Sequence, residues 1–187
     1  ALRLREEGVA DAATIDHAMR TVGGFRMGPC ELRDFLGHDV NFAVTKSVWE
    51  QTFHEPRYRP SLVQQRLVEA GWLGKKAGRG FYDHSQPLPT GADDQVTAAR
   101  VFGRIIAMLV NEACEAVQQG VATAADVERA MPKGVNYPQG LLAWGDALGP
   151  QRLVDTLRAL QQELGPERYR PSAYLARRAA EGRSLLA

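Results

Sequence analysis

The amino-acid sequence predicts an all-α protein made of two tandem copies of one helical unit. Apolar side chains recur every three or four positions over most of the chain, as they do on the buried face of an α-helix. No run of four or more residues alternates between apolar and polar side chains as a β-strand would, although Phe81 and Tyr82 could form a short extended segment. The third observation is an internal repeat.

The repeat becomes visible when the sequence is shifted by 112 positions, which places Gly8 on Gly120. The residues that then coincide include Gly8-Val9-Ala10 with Gly120-Val121-Ala122, Ala18-Met19 with Ala130-Met131, Gly28 with Gly140, Asp34 with Asp146, and Leu36-Gly37 with Leu148-Gly149. After a one-residue slip, Arg57-Tyr58-Arg59-Pro60-Ser61 matches Arg168-Tyr169-Arg170-Pro171-Ser172, and Gly71 matches Gly182. Because a polar stretch with Pro and Gly separates the copies, we predict a first domain at 1–83, a linker at 84–94 and a second domain at 95–187.

The first copy is expected to open inside a helix. Residues 1–8 carry neither a starting Met nor the apolar stretch of a signal peptide, and we expect them to be the last turns of a helix that begins upstream, in a longer protein. Asp11 can cap a second helix that continues to Arg20, because its carboxylate can accept hydrogen bonds from the first-turn amides. Gly23-Gly24 ends that helix, whose predicted buried stripe is Ile15, Ala18, Met19 and Val22.

Two further helices are predicted in the first copy. One ends before Pro56, whose ring disfavours the helical conformation of the preceding residue. The other begins after the N-cap Ser61, with Gln64 completing a capping box, and ends near Gly71. The positions at helical spacing in the first of these two helices are Phe42, Thr45, Trp49 and Phe53.

The second copy repeats this plan. Its first helix is predicted at 95–119, and the helices that follow it at 124–131, 141–148, 150–164 and 172–181. The face of the first helix that we expect to be apolar and buried consists of Val101, Ile105, Met108, Leu109 and Ala113.

Composition and charge exclude several classes of partner. The 187 residues include 23 Lys and Arg against 22 Asp and Glu, a net charge of +1, so the chain lacks the basic surface that nucleic acid requires. Its apolar runs are far shorter than the roughly 20 residues that cross a bilayer, so we expect no membrane role. Cys30 and Cys114 form no CxxC pattern and no cluster with the four histidines. We expect two buried thiols in a reducing compartment and no metal.

A glycine-rich basic segment, residues 71–82, places cationic side chains among flexible backbone amides that could bind phosphate. The segment has neither the Gly-Lys-Ser/Thr of a Walker loop nor a GxGxxG motif between a strand and a helix. We interpret it as a turn that closes the first copy, with a role near the phosphates of a substrate or cofactor as the alternative.

A nucleophile, an acid and a base lie close together in the sequence as Cys30, Asp34 and His38. On a single helix, eight residues would separate Cys30 from His38 by about 12 Å, which is beyond hydrogen-bond reach. The second copy has Leu142 and Pro150 at these two positions, so the requirement that both copies share is packing.

Asp34 and Asp146, in contrast, are polar in both copies. A helix cap or a buried hydrogen bond would explain them, and so would contact with a substrate or at an interface. Bulky residues expected in the core or at an interface are Trp49, Trp72 and Trp144. The cationic pairs expected on solvated turns are Arg57/Arg59 and Arg168/Arg170. No catalytic constellation emerges, which favours a docking or oligomerisation module.

Four motifs follow one another in the first copy. They are Gly28-Pro29-x-Glu31-Leu32-x-Asp34, Gly37-x-Asp39-Val40, the turn Arg59-Pro60-Ser61, and Gly74-Lys75-Lys76-Ala77-Gly78-Arg79-Gly80-Phe81-Tyr82. Together they resemble the C-terminal domain of 3-hydroxyacyl-CoA dehydrogenases. The resemblance covers the whole chain as two tandem copies, an arrangement similar to the bacterial enzymes of phenylacetate-type and short-chain acyl-CoA catabolism.

The resemblance implies an activity whose cofactor is bound elsewhere. Such an enzyme oxidises the 3-hydroxyl of an acyl-CoA to a ketone and passes the hydride to NAD, on a Rossmann domain that also carries a catalytic His-Glu pair and is absent here. A functional Asn of the family would precede Ala1, and Gly103 stands at the corresponding position of the second copy, where it has no side-chain donor. We therefore expect no catalytic residue and no bound cofactor in this chain.

The resemblance also suggests where contacts with substrate or partner lie. The candidates for lining the acyl-CoA pocket or an interface are Gly28, Pro29, Glu31, Asp34, Asp39 and Asp146. Apolar helix faces would pair two chains as a homodimer, and the enzyme would be cytoplasmic. The alternative is a stand-alone helical binding or scaffold module without catalysis.

Overall fold

The computed structural model describes residues 1–165 and 167–187, and the all-α prediction is confirmed. Among the described residues there is no β-strand, only isolated bridges that join Arg79 to Gly74 and to Asp83 around the segment of Phe81 and Tyr82. The helices are α1 Leu2–Glu6, α2 Ala12–Thr21, α3 Pro29–Leu36, α4 His38–Gln51, α5 Leu62–Glu69, α6 Gln95–Gln118, α7 Ala124–Val135, α8 Leu141–Leu148, α9 Pro150–Leu164 and α10 Ala173–Ala180. Single turns of 3-10 helix lie at Pro56–Tyr58 and Lys75–Ala77. None of the described helices has the length and apolar content needed to cross a membrane.

The chain forms two compact units, Ala1–Phe102 and Gly103–Ala187. The division along the chain falls inside α6, whereas the sequence predicts a linker over residues 84–94 between the two domains. The end of that segment is packed rather than free, because the amide of Ala92 donates a hydrogen bond to Oγ1 of Thr14 at 3.1 Å. The domain limits 1–83 and 95–187 stay predictions.

In the first unit, α2 packs on α3, α3 on α4, and α4 and α1 on α5. The predicted N-cap of α2 is confirmed, since the carboxylate of Asp11 accepts a hydrogen bond from the amide of Thr14 at 2.8 Å. Ile15, Ala18 and Met19 are buried as expected. Val22 is not, because it is the C-cap residue and 48% of its surface is exposed.

The predicted continuation of α4 to Phe53 is wrong. The helix ends at Gln51, and Phe53 and His54 both adopt positive φ angles, 53° and 62°. These two residues form a turn between the helix and Pro56. Phe53 therefore lies outside the helix, with 95% of its surface exposed. Apolar spacing alone did not reveal that the turn begins before the proline.

The predicted capping box of α5 does not form. Ser61 is the N-cap residue by position, but its hydroxyl donates to Oε1 of Glu6 at 2.6 Å. The same Glu6 oxygen accepts the amide of Val63 at 3.4 Å. A carboxylate from α1 therefore caps α5, and the predicted partner Gln64 is buried instead, with its Nε2 3.4 Å from Oγ1 of Thr45.

The prediction that Arg57 lies on a solvated turn is wrong, because only 6% of the residue's surface is exposed. The 3-10 turn that carries it packs against α4, which directs Arg57 inward. Arg59, two residues later, is exposed as predicted. Of the three tryptophans, Trp144 is buried and Trp49 is half-buried, whereas Trp72 is 38% exposed and lies under the guanidinium of Arg79 at 3.9 Å.

In the second unit, α7 packs on α8, α8 on α9, and α9 on α10. The predicted bounds of α8 and α9 are confirmed. α7 continues beyond the predicted end at Met131 to Val135, with Pro132 inside the helix, and Asn136 in the left-handed region ends it. On α6, Val101 and Ala113 are buried as predicted, whereas Ile105, Met108 and Leu109 are partly exposed. The other apolar residues buried on this helix are Ala98, Phe102, Ile106, Ala107, Val110 and Cys114.

Candidate functional site

A buried carboxylate fastens the start of α3 in the first unit. Asp16, on α2, accepts hydrogen bonds from the amides of Cys30 at 2.7 Å and Glu31 at 2.8 Å, and from the hydroxyl of Tyr82 at 2.7 Å. It thus caps α3 from a different helix, because the N-cap residue Gly28 has no side chain. A Cβ atom on Gly28 would overlap the Asp16 carboxylate, so glycine is required for close approach. Desolvation raises the pKa of Asp16 despite these hydrogen bonds.

The second unit repeats this arrangement at the positions related by 112. Glu128 replaces Asp16, and its Oε2 accepts the amides of Leu142 at 2.9 Å and Ala143 at 3.2 Å, at the start of α8. A Cβ atom on Gly140 would overlap the Glu128 carboxylate in the same way. Sequence reasoning missed Asp16 and Glu128 because it compared identities; an acidic residue at the same position in both copies was the signal available.

A second buried carboxylate, that of Asp34 on α3, is the centre of four hydrogen bonds. It accepts Nε2 of His38 at 2.7 Å, Nε2 of His84 at 2.9 Å, and the amides of Phe81 at 2.8 Å and Tyr82 at 3.0 Å. Both Asp34 and His38 are 0% exposed. Desolvation raises the pKa of Asp34, but the hydrogen bond from His38 and the bonds from the other donors outweigh it, so the pKa lies below its usual value.

The loop over residues 71–82 is shaped around Asp34. A Cβ atom on Gly74 would overlap the backbone of Asp34, and one on Gly80 would overlap its carboxylate. The amides of Phe81 and Tyr82 point at Asp34 and are therefore not offered to an external phosphate. These contacts account for the loop as a closing turn.

The other candidate residues have separate contacts. Glu31 forms an ion pair with Arg20 at 2.8 Å, and Asp39 forms one at the surface with Lys76 at 2.6 Å. In the second unit, Asp146 accepts the hydroxyl of Ser184 at 2.5 Å and the amide of Leu185 at 2.7 Å. Asp146 lies on α8 as Asp34 lies on α3, and both helices begin after a glycine N-cap. Each carboxylate binds the backbone of a segment that follows later in its own unit. A role of these residues in substrate or interface contact stays a prediction.

The described part of the chain does not assemble a nucleophilic site. The thiols of Cys30 and Cys114 are free and buried, and desolvation raises the pKa of both, which disfavours the reactive thiolate. His38 pairs with Asp34 and lies edge-on to the ring of Phe81 at 4.9 Å. Within residues 1–165 and 167–187, no group of three or more His, Cys, Asp or Glu side chains is placed to hold a metal ion.

A row of exposed apolar side chains, which we call the apolar face, lies on α3 and α4. Its members are Leu32, Phe35, Leu36, Val40, Val44 and Val48. Exposed apolar residues that form a contiguous set usually mark an interaction surface. The corresponding positions of the second copy are less apolar, since Val40 is matched by Arg152 and Val44 by Thr156.

Acid should reveal the contribution of Asp34. Because its folded pKa is below the ordinary 3.8, its stabilising effect is complete above that pH and is lost as the pH falls through the folded pKa. Asp16 acts in the opposite direction, since its raised pKa favours the fold at low pH and the effect is lost as the pH rises through the folded value. We expect Asp34→Asn to reduce the loss of unfolding free energy as the pH falls below 3.8, measured by urea unfolding. An unchanged acid slope would contradict this assignment.

Comparison with known proteins relates both units to one family. The profile of the 3-hydroxyacyl-CoA dehydrogenase C-terminal domain matches residues 1–84 and again residues 101–185. This chain belongs to that family. It contains two tandem copies of the C-terminal domain of 3-hydroxyacyl-CoA dehydrogenases, as its motifs had suggested.

Two curated dehydrogenases illustrate the relationship. The chain is 35% identical to 3-hydroxyadipyl-CoA dehydrogenase of Escherichia coli, over 96% of its own length and 56% of the relative's. It is 42% identical to 3-hydroxybutyryl-CoA dehydrogenase of Bradyrhizobium diazoefficiens, over 45% of its own length and 29% of the relative's. The chain therefore spans about half, or less, of the length of these enzymes.

A solved structure gives the same relationship for the fold. The crystal structure of 3-hydroxybutyryl-CoA dehydrogenase from Escherichia coli K12 superposes with a TM-score of 0.87 and 33% identity, over 96% of this chain and 57% of that one. In the first copy of this domain, the Asp16 and Asp34 centres bind several of the motif residues on which the resemblance rests. Gly28, Glu31 and Asp34 lie at or between them, while Asp39 lies at the surface.

Proposed function

We propose that this chain is the substrate-pocket and dimerisation region of an NAD-dependent 3-hydroxyacyl-CoA dehydrogenase. The observation that carries the proposal is the match of both units to the C-terminal domain of that family. The enzyme would convert a 3-hydroxyacyl-CoA to the 3-oxoacyl-CoA, with NAD bound by a domain outside this sequence. The relatives named above act on 3-hydroxyadipyl-CoA and 3-hydroxybutyryl-CoA, which favours short acyl chains and a phenylacetate-type or fatty-acid pathway. The free thiols favour a reducing compartment such as the cytoplasm.

In this proposal the chain's own residues position the substrate and do not move protons or hydride. When bound, NAD supplies the hydride acceptor. Asp16 and Asp34 keep α3 and the 71–82 loop rigid through buried hydrogen bonds, and a rigid wall would hold the acyl-CoA at a fixed distance from the nicotinamide. The raised pKa values of the two buried cysteines disfavour the thiolate, and the imidazole of His38 is fully buried, so none of the three is placed to act as a general base on a substrate.

Activity is the test of the proposal. We expect the 187-residue chain to show no NAD reduction with 3-hydroxybutyryl-CoA, and the natural-length gene product to reduce NAD in the same assay. Absorbance of NADH measures both. Turnover by the 187-residue chain alone would contradict the assignment of NAD to another domain, and a natural-length protein inactive with every short 3-hydroxyacyl-CoA would contradict the proposed function.

We further propose that the apolar face binds a second copy of this chain. Val40, Val44 and Val48 follow one another at intervals of four residues, which aligns them along one side of α4. A two-fold axis at Val44 would place Val40 of one copy opposite Val48 of the other, and the surface would be self-complementary. The antiparallel arrangement would also bring Glu50 near the positive end of the other copy's α4.

The mass in solution tests this interface. We expect a light-scattering mass of twice 20.6 kDa for the chain and a monomer for Val44→Lys, because a buried cation without a partner opposes association. Thr156→Lys is the matched control, since it makes the same change at the corresponding position of α9. A monomeric wild type at all concentrations, or dissociation by Thr156→Lys instead of Val44→Lys, would contradict the proposal.

A further inference from the structure

The second unit contains a cavity of about 460 Å³. Its walls come from Asp146 at the end of α8, from residues 149–151 at the start of α9, from Arg178 on α10, and from Arg183 and Ser184 beyond that helix. The volume lies in the range of pockets that hold small molecules.

Two guanidinium groups give the cavity its chemistry. Arg178 donates through Nη2 to an oxygen of Ala187, and its position is held over the ring of Tyr174 at 5.0 Å. Its other terminal nitrogen, Nη1, is buried and has no hydrogen-bond partner among the described residues. Arg183 is exposed and reaches Glu181 only at 3.4 Å. Arg183 therefore retains N–H donors that a ligand can reach, and Arg178 retains one unpaired donor that is buried.

Asp146 is the one carboxylate among the described side chains that line the cavity. It accepts hydrogen bonds from neutral groups, the hydroxyl of Ser184 and the amide of Leu185, so it keeps its negative charge and offsets one of the two cations. The described lining side chains therefore carry two positive charges against one negative charge, which favours an anion.

The start of α9 adds to this preference. Its N-cap Gly149 offers no side-chain acceptor, and the side chain of Gln151 is bound to Asp155 at 2.9 Å. The first-turn amides of this 15-residue helix are therefore uncapped by a side chain at the edge of the cavity.

The corresponding place in the first unit is closed and carries an acid. There the amide of His38 donates to the carbonyl of Leu73 at 3.2 Å, and Asp39 pairs with Lys76. The shift of 112 positions replaces Asp39 by the neutral Gln151. The cavity with its two guanidinium groups therefore belongs to the second copy and not to the shared fold.

We propose that this cavity binds a small molecule through an oxyanion, either a phosphate or a carboxylate. A guanidinium group matches both, because its paired N–H donors fit two oxygens of either group. The inference does not depend on dehydrogenase activity, and its test measures binding alone.

Calorimetric titration of the 187-residue chain with pyrophosphate and with adipate tests the proposal at about 0.15 M ionic strength. We expect one of the two probes to bind with a dissociation constant of about 1 mM or lower. Binding of pyrophosphate alone would identify a phosphate site, and binding of adipate alone a carboxylate site.

Variants locate the binding. Arg183→Gln, at an exposed position that the fold tolerates, should weaken binding about tenfold, and Arg178→Gln should weaken it at least as much. Arg177→Gln is the matched control, because it removes the same charge from an exposed position on the same helix, outside the cavity. No binding of either probe at about 10 mM, or an equal loss in Arg177→Gln, would overturn the proposal.

Discussion

Replacing Asp34 with alanine should lower the free energy of unfolding of the first unit by about 3–5 kcal/mol, the usual cost of removing one partner from a buried polar pair. The substitution leaves the buried imidazole of His38 and the amides of Phe81 and Tyr82 without their acceptor. Because these amides hold the 71–82 loop, hydrogen exchange in that loop should accelerate together with the loss of stability. Chemical unfolding followed by circular dichroism measures the first effect and mass spectrometry the second.

Asp39→Ala provides the control for this prediction. Asp39 lies near the same loop and pairs with Lys76, but the pair is at the surface. Surface ion pairs contribute little, so the unfolding free energy should hardly change. If Asp39→Ala destabilised the protein as much as Asp34→Ala, the buried network would not be what holds the loop.

Replacing Gly28 with alanine should be the second severe change, with a loss of about 2–4 kcal/mol from overlap and from a displaced cap. The backbone at Gly28 is compatible with alanine, since its φ is −73°. The cost arises because the new methyl group overlaps the carboxylate of Asp16, which must move away from the amides of Cys30 and Glu31. Urea unfolding of the variant gives the value.

Gly103→Ala separates this effect from the general consequence of adding a methyl group. Gly103 lies inside α6, and a Cβ atom there meets nothing within 4 Å. Alanine favours a helix over glycine, so this variant should gain about 0.5–1 kcal/mol. Equal destabilisation of the two variants would contradict the role given to Asp16.

Local signals in the sequence were sufficient for most helices. The Gly149-Pro150 pair separated α8 from α9 at the correct residues, and Asp11 and Ser172 cap the helices that follow them. The predicted helix limits are wrong where the structure departs from the pattern of apolar residues along the chain. α4 stops at Gln51 because the chain reverses at Phe53 and His54, and apolar spacing does not encode that reversal.

The carboxylate centres show the same limit. Asp34 could be singled out because both copies keep the acid, but the sequence left its role open between a buried hydrogen bond and a contact with substrate or partner. Its partners Phe81 and His84 lie more than forty positions away along the chain, and a single sequence does not reveal such pairing. Asp16 was not recognised at all, because its counterpart Glu128 differs by one methylene group. Tertiary contacts, rather than propensity, define both centres.

The proposed function requires that this sequence is the helical part of a longer dehydrogenase. An immunoblot of native lysate with an antibody raised against this chain tests it most directly. We expect a band well above 20.6 kDa, since the Escherichia coli relative is matched over 56% of its length. A band at 20.6 kDa would contradict the claim and would favour a stand-alone helical module.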